Sequence, residues 1–197
     1  MNEMNLASTV PAPLPKLPSA DSCPDRHEIH INITNKAFDG LARQGMTFPQ
    51  GNCEIVDNAL AAALPGDKAR ICIALAANAD QNYLNLAVAD WGRGMDLDAL
   101  TNALQLGSLP TTGTNRLNEH GFGLLNALAC LSGGTGDWCI YTRSQPGNYY
   151  KVSGPFDLTM IVEQVDTLDL APGLNLHWAD PSTVVCVRVP MTIARTM

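Results

Sequence analysis

The chain has 197 residues, of which 46% are hydrophobic and 16% charged, and its formal net charge is -7. That size and balance fit one globular domain with a single sizeable core and exclude a disordered chain. The negative field repels nucleic-acid backbones and anionic lipid, so no direct nucleic-acid or membrane binding is expected, although local amides and a metal ion can still hold phosphate.

Residues 1–26 read as a Pro-rich disordered tail, because Pro11, Pro13, Pro15, Pro18 and Pro24 break any regular element. No basic region followed by an apolar core opens the chain, and no apolar run approaches the roughly 18 residues of a spanning helix, so cytoplasmic residence is expected. The folded domain is expected over 27–192, with a short tail at 193–197. Glu28–Ile33 alternates polar and apolar like an edge strand, and a short helix is expected over Lys36–Arg43. Alanine and leucine then predict a helix over 50–64, which Pro65 and Gly66 end.

Two strands are expected next, Ala69–Ala77 and Tyr83–Asp90, joined by an Asn/Asp turn. A glycine loop at 91–94 leads to a helix at about 96–105. Residues 106–120 carry Gly107, Pro110 and Gly113 and read as a loop, before a helix from Gly121 to Leu131 that Gly133 and Gly134 stop. Strands are predicted at Asp137–Arg143, Tyr149–Ser153, Leu158–Val165, Leu174–Trp178 and Ser182–Val189. With helices grouped early and strands late, the expected class is α+β, a two-layer sandwich with a mixed β-sheet and helices on one face. The cysteines at 23, 53, 72, 130, 139 and 186 form no C-x-x-C pair and read as buried reduced thiols rather than a zinc site.

Four short segments carry chemistry. Glu54, Asn58 and Ala61 share one face of the first long helix, at i, i+4 and i+7. The Asn58 oxygen is a hard ligand suited to Mg²⁺, and Glu54 can orient and deprotonate a water molecule. Asp90-Trp-Gly-Arg-Gly-Met follows a strand. A carboxylate there can accept from an exocyclic amine such as that of adenine, Gly92 and Gly94 allow close approach to a flat ring, and Met95 offers a soft apolar wall. Gly121-Phe-Gly-Leu, with Phe122, Gly123 and Leu124, opens a helix whose free amides suit phosphate. The polar stretch 106–120 before it has the make-up of a lid. Finally, Ser182-Thr183 begins a strand, and Thr183 can hydrogen-bond Asp90 or a water at an adenine.

In this order and setting, the segments resemble the motifs of the ATPase superfamily that contains gyrase B, heat-shock chaperones, histidine kinases and MutL, known as the GHKL ATPases. Glu54-Ile-Val-Asp-Asn-Ala-Leu is similar to the N-box of the MutL, MORC and chaperone branch. Asp90-Trp-Gly-Arg-Gly-Met resembles the D-x-G-x-G-M box, Gly121-Phe-Gly-Leu the second glycine box, and Ser182-Thr183 the final Gly-Thr box. The resemblance spans about residues 28–190 and implies a Bergerat-type fold that binds ATP with Mg²⁺. It assigns Glu54 as general base, Asn58 as magnesium ligand and Asp90 as the contact to adenine N6. Gly92, Gly94 and Met95 would line the base, Gly121, Phe122, Gly123 and Leu124 the phosphates, and Thr183 would support the adenine contact.

Three positions depart from that pattern. Ala61 stands where an acidic residue is common, Asn118 replaces a first glycine, and Leu125 stands where MORC-like members carry lysine, leaving the phosphate charge to magnesium, amides, Arg116 or His120, or a group from elsewhere. No transducer lysine is expected after the last strand, so hydrolysis is expected to need another domain or partner. The expected activity is Mg-dependent ATP hydrolysis coupled to lid closure, with a homodimer or partner protein engaged on ATP binding. The alternatives are a nucleotide-dependent interaction module with little hydrolysis and a protein kinase of the same superfamily.

Overall fold

The structure, a computed structural model, describes residues 26–30, 40, 45–78, 82–105 and 123–195. The tail expected over 1–26 lies outside the described residues except for Arg26, which is already in a strand, and so do nearly all of the helix expected over 36–43 and the loop at 106–120.

In chain order the elements are β1 (Arg26–His30), α1 (Phe48–Ala61), β2 (Ile71–Asn78), β3 (Tyr83–Asp90), α2 (Leu97–Ala103), α3 (Gly123–Leu131), β4 (Trp138–Thr142), β5 (Tyr149–Ser153), β6 (Thr159–Val165), β7 (Thr183–Pro190) and α4 (Met191–Ala194). The α1 helix starts two residues before its expected position because Thr47 caps it. The Thr47 hydroxyl accepts from the Gln50 N–H at 3.4 Å, and the Gln50 side chain accepts from the Thr47 N–H at 2.9 Å. Pro49 fits that first turn, where its missing N–H is not needed.

The seven strands form one open sheet in the order β1-β6-β5-β4-β7-β3-β2. The expected mixed sheet is corrected: every neighbouring pair is antiparallel. The helical connection from β3 to β4 does join two strands that run the same way, as crossovers do. However, β7 is inserted between them and pairs antiparallel to both.

A second correction concerns Leu174–Trp178, expected as a strand, which is an irregular segment between a turn at 172–173 and a bend beginning at 177. The sheet edges are already occupied by β1 and β2. The 166–182 segment instead crosses a face of the sheet, burying Leu174 against Ala74, Ala87, Tyr141 and Val184. At the C-terminal end, the tail expected from 193 begins inside α4, and Ile193 packs on the main core.

Strand alternation divides the core in two. Leu86, Val88, Ile140, Val152, Val162, Val185 and Val187 face one way and pack with Ile55 of α1, Leu100 of α2 and Leu125 and Leu128 of α3. The intervening residues, Ala87, Ala89, Tyr141, Tyr149 and Val184, face the other way beneath Leu168, Leu170, Ala171 and Leu176. Among the described residues helices therefore cover one face only, as expected for a two-layer α+β arrangement. Burying each large aliphatic side chain on the helical face stabilises the fold by roughly 1.5–3 kcal/mol.

Candidate functional site

The site is built around one face of α1. Positions 54, 58 and 62 are spaced i, i+4 and i+8, so they lie in a row along that face. At one end of the row, Glu54 Oε2 occupies the space that a Cβ on Gly123 would fill, at the start of α3. At the other end, the Ala62 carbonyl accepts from the Arg93 N–H at 2.9 Å. The same carbonyl would overlap a Cβ on Gly92. Asn58 stands between these two junctions, and its Nδ2 donates to the Glu54 carbonyl at 2.7 Å, which fixes the amide along the helix. A third close approach allows the arrangement: Gly51 has no side chain, and a Cβ there would meet Leu131 Cγ at 2.7 Å, so α1 and α3 press together.

The loop after β3 is pinned at each step. Gly94 has φ +60°, and a Cβ on it would overlap the Arg143 carbonyl. Both facts require glycine. The next residue, Met95, donates its N–H to Thr142 Oγ1 at 2.9 Å, while its side chain packs at the margin of the helical core.

Asp90 is only 5% exposed. It lies opposite Thr183 in the β3–β7 register, and Ser182 N–H donates to the Asp90 carbonyl at 2.8 Å. Its carboxylate accepts from the Gly92 N–H at 2.9 Å and from the Thr183 hydroxyl. Burial pushes its pKa up from 3.8 to about 6, with the Gly92 and Thr183 hydrogen bonds opposing that rise. Thr183 Oγ1 is in turn 3.1 Å from Thr142 Oγ1. The donors run in one consistent direction: Met95 N–H to Thr142, Thr142 to Thr183, and Thr183 to the Asp90 carboxylate. Every hydroxyl on this path both gives and receives a hydrogen bond, and the ionised form of Asp90 completes it.

Glu54, Asn58, Asp90, Gly92, Gly94, Met95, Gly123 and Thr183 are thus connected through α1, the 90–95 loop and the ends of β4 and β7. Leu124 packs on the main core, and Gly121 and Phe122 lie outside the described residues. A cavity of about 380 Å³ adjoins the loop between Ala63, Lys68, Arg70 and Trp91. It shares Gly92 with the site but is not lined by Asn58 or Asp90.

Sequence reasoning missed Thr142. Its one available signal was register: the last residue of β4 sits across from Thr183, so the two hydroxyls meet on the helical face. It also missed the Ala62 carbonyl, because a backbone acceptor carries no residue-type signature.

Among the described residues no helix is long and apolar enough to cross a membrane. No family model matches the chain, and no curated protein matches it significantly.

Proposed function

We propose that the protein binds ATP with Mg²⁺ over the 90–95 loop and the Glu54–Asn58 face of α1, as a GHKL-type ATPase of Bergerat-type fold. The observation that carries this reading is the buried Asp90 carboxylate, held by Gly92 and Thr183 at the strand end. It adjoins a helix whose polar face reaches the start of α3. A buried acceptor that holds a negative charge at neutral pH matches a donor such as the exocyclic amine of adenine. Gly92 and Gly94 let the loop beside the carboxylate pack against the Ala62 and Arg143 carbonyls, and Met95 lies at its edge.

Asn58 would hold the magnesium ion, which neutralises phosphate charge and takes its remaining ligands from phosphate oxygens and water, as Mg²⁺ usually does. The first amides of α3 would meet phosphate at the positive end of the helix dipole. Glu54, beside Gly123, would hold the attacking water and accept its proton.

One observation favours slow turnover. Leu125, at the position where MORC-like members carry lysine, is fully buried, so it brings no cation to the phosphates. A nucleotide-switched interaction module, with hydrolysis dependent on another domain or protein, is therefore the second reading.

Calorimetric titration of ATP with and without Mg²⁺, alongside a phosphate-release assay, separates these readings. Asp90→Asn is expected to abolish adenine-nucleotide binding with circular dichroism unchanged; undiminished binding would remove Asp90 from the base pocket. Glu54→Ala is expected to retain binding and to lower hydrolysis by about 10²-fold or more. Tight binding by the unaltered protein with no phosphate release would leave the second reading.

A further inference from the structure

The sheet face opposite the helices carries two cysteines that the candidate nucleotide site does not use. Cys139 of β4 lies directly opposite Cys186 of β7. The ladder around them fixes the kind of pair. Arg143 N–H donates to the Ser182 carbonyl at 2.9 Å, and Arg188 N–H donates to the Asp137 carbonyl at 2.8 Å. Hydrogen-bonded pairs alternate along an antiparallel ladder, so the pairs 137/188, 139/186, 141/184 and 143/182 are all of that type. In such a pair the Cα atoms lie about 5.5 Å apart, within the usual range for a disulfide. Both side chains point to the same face, since opposite residues in a ladder share one.

A cavity of about 600 Å³ runs up to both residues under the 166–182 segment, with Asp169, Leu170, Ala171 and Leu174 as its cover, and both are only half-buried. Among the described residues, no other two cysteines are ladder partners. Cys72 lies opposite Ala89, while Cys53 and Cys130 are on helices.

We propose that Cys139 and Cys186 are a reversible modification site: a cross-strand dithiol that a hydroperoxide oxidises to a disulfide. The Cys139 thiolate attacks the peroxide oxygen, an S–O bond forms and the O–O bond breaks. The leaving oxygen departs as water or alcohol with the proton that Cys139 had lost. Cys186 sulfur then attacks Cys139 sulfur, the S–S bond forms and the S–O bond breaks. The hydroxide released takes the Cys186 proton and leaves as water. Two electrons pass from the sulfurs to the peroxide, which is the sole oxidant.

The surroundings assign the two roles. Interaction with Cys186 pushes the Cys139 thiol down, and Lys151, which lies opposite Tyr141 on the same face, adds to this against burial and Asp169. The reciprocal interaction and burial push Cys186 up. Cys139 sits on the strand paired with that of Lys151 and is the attacking sulfur, and Cys186, one strand farther from that cation, is the resolving one.

The test uses the full chain, treated with excess hydrogen peroxide and then blocked with N-ethylmaleimide. Peptide mass mapping is expected to find a cross-linked pair containing positions 139 and 186, lighter by two hydrogen atoms. Dithiothreitol should return both to the alkylatable form. In Cys186→Ser, Cys139 is expected to halt at a sulfenic acid that dimedone traps. In Cys139→Ser, Cys186 should remain alkylatable. Free thiols at both positions in the treated unaltered protein would overturn the proposal. So would oxidation of Cys139 past sulfenic acid with no cross-link. The mapping of the unaltered protein decides this even if a variant folds poorly.

Discussion

The two faces of the sheet are covered by different physical means. On one face, helices satisfy their own backbone groups and need only apolar contact, so large aliphatic side chains close the layer. On the other face, the 166–182 segment is irregular, and some of its carbonyls are bonded by side chains reaching up from below. Tyr141 Oη donates to the Asp169 carbonyl at 3.1 Å, Tyr149 Oη to the Pro181 carbonyl at 2.9 Å, and Trp91 Nε1 to the Ala179 carbonyl at 2.7 Å. The difference shows where each face is vulnerable: the helical face to changes of volume and backbone path, the covered face to loss of single donors. The 90–95 loop joins the two, since Asp90 lies on the helical side and Trp91 packs under the cover.

The largest effect is expected on the helical side of that junction. Gly94→Ala must hold an L side chain at φ +60° and also displace the Arg143 carbonyl. Together these are expected to cost about 3–4 kcal/mol in urea unfolding and to abolish nucleotide binding. Gly66→Ala is the matched control. Gly66 also has positive φ, at +85°, but has no neighbouring atom within reach of a Cβ. It should lose only about 1–2 kcal/mol, the strain of the left-handed conformation alone. Equal losses at the two positions would show that the close packing against β4 contributes nothing.

The next effect in size is a gain. The Asp90 pKa stands near 6 in the folded chain against 3.8 ordinarily, so the folded state binds the proton more tightly. The stability linked to that proton is complete below about pH 4 and is lost as pH rises through about 6. A rise of about two pH units corresponds to about 3 kcal/mol. Asp90→Asn should therefore stabilise the nucleotide-free protein by up to about 3 kcal/mol at pH 8 and by little at pH 4. If the gain is the same at both values, burial of the charge is not its source. Nucleotide binding to the unaltered protein should weaken below pH 6, as the carboxylate becomes protonated.

The same contrast explains what was legible in the sequence. The elements of the helical face follow from local signals, alanine and leucine through α1 and glycines stopping α3, although the capping box at Thr47 and Gln50 went unread and α1 was begun two residues late. Strands β3 and β5 were placed to the residue because their alternation is bounded by Gly, Asn and Asp. The candidate side chains could be picked out for a related reason, since Glu54 and Asn58 are one turn apart on a single helix and Asp90 ends a strand just before Gly92 and Gly94. Thr142 could not, because its role depends on a pairing between β4 and β7 about 40 residues apart in the chain. The antiparallel character of the sheet was hidden similarly: nothing local announces that the last strand inserts between β3 and β4. Leu174–Trp178 has apolar residues on alternate positions, as a strand does. That pattern equally serves a segment lying flat over a sheet whose edges are taken.

The smallest effect is expected on the covered face. Tyr149→Phe removes one hydroxyl and leaves the ring, together with its stacking beneath the Arg143 guanidinium, which lies 4.3 Å from the ring centre. The change therefore isolates the hydrogen bond to Pro181. Stranding that carbonyl is expected to cost about 1–3 kcal/mol. The loss should appear as faster amide exchange confined to 166–182, because among the described residues no helical residue belongs to the core beneath this cover. Nucleotide affinity should change little, since Asp90 keeps its bonds from Gly92 and Thr183. If exchange instead accelerated evenly across the helical face, the two covers would be one cooperative unit and their contrast would not extend to stability.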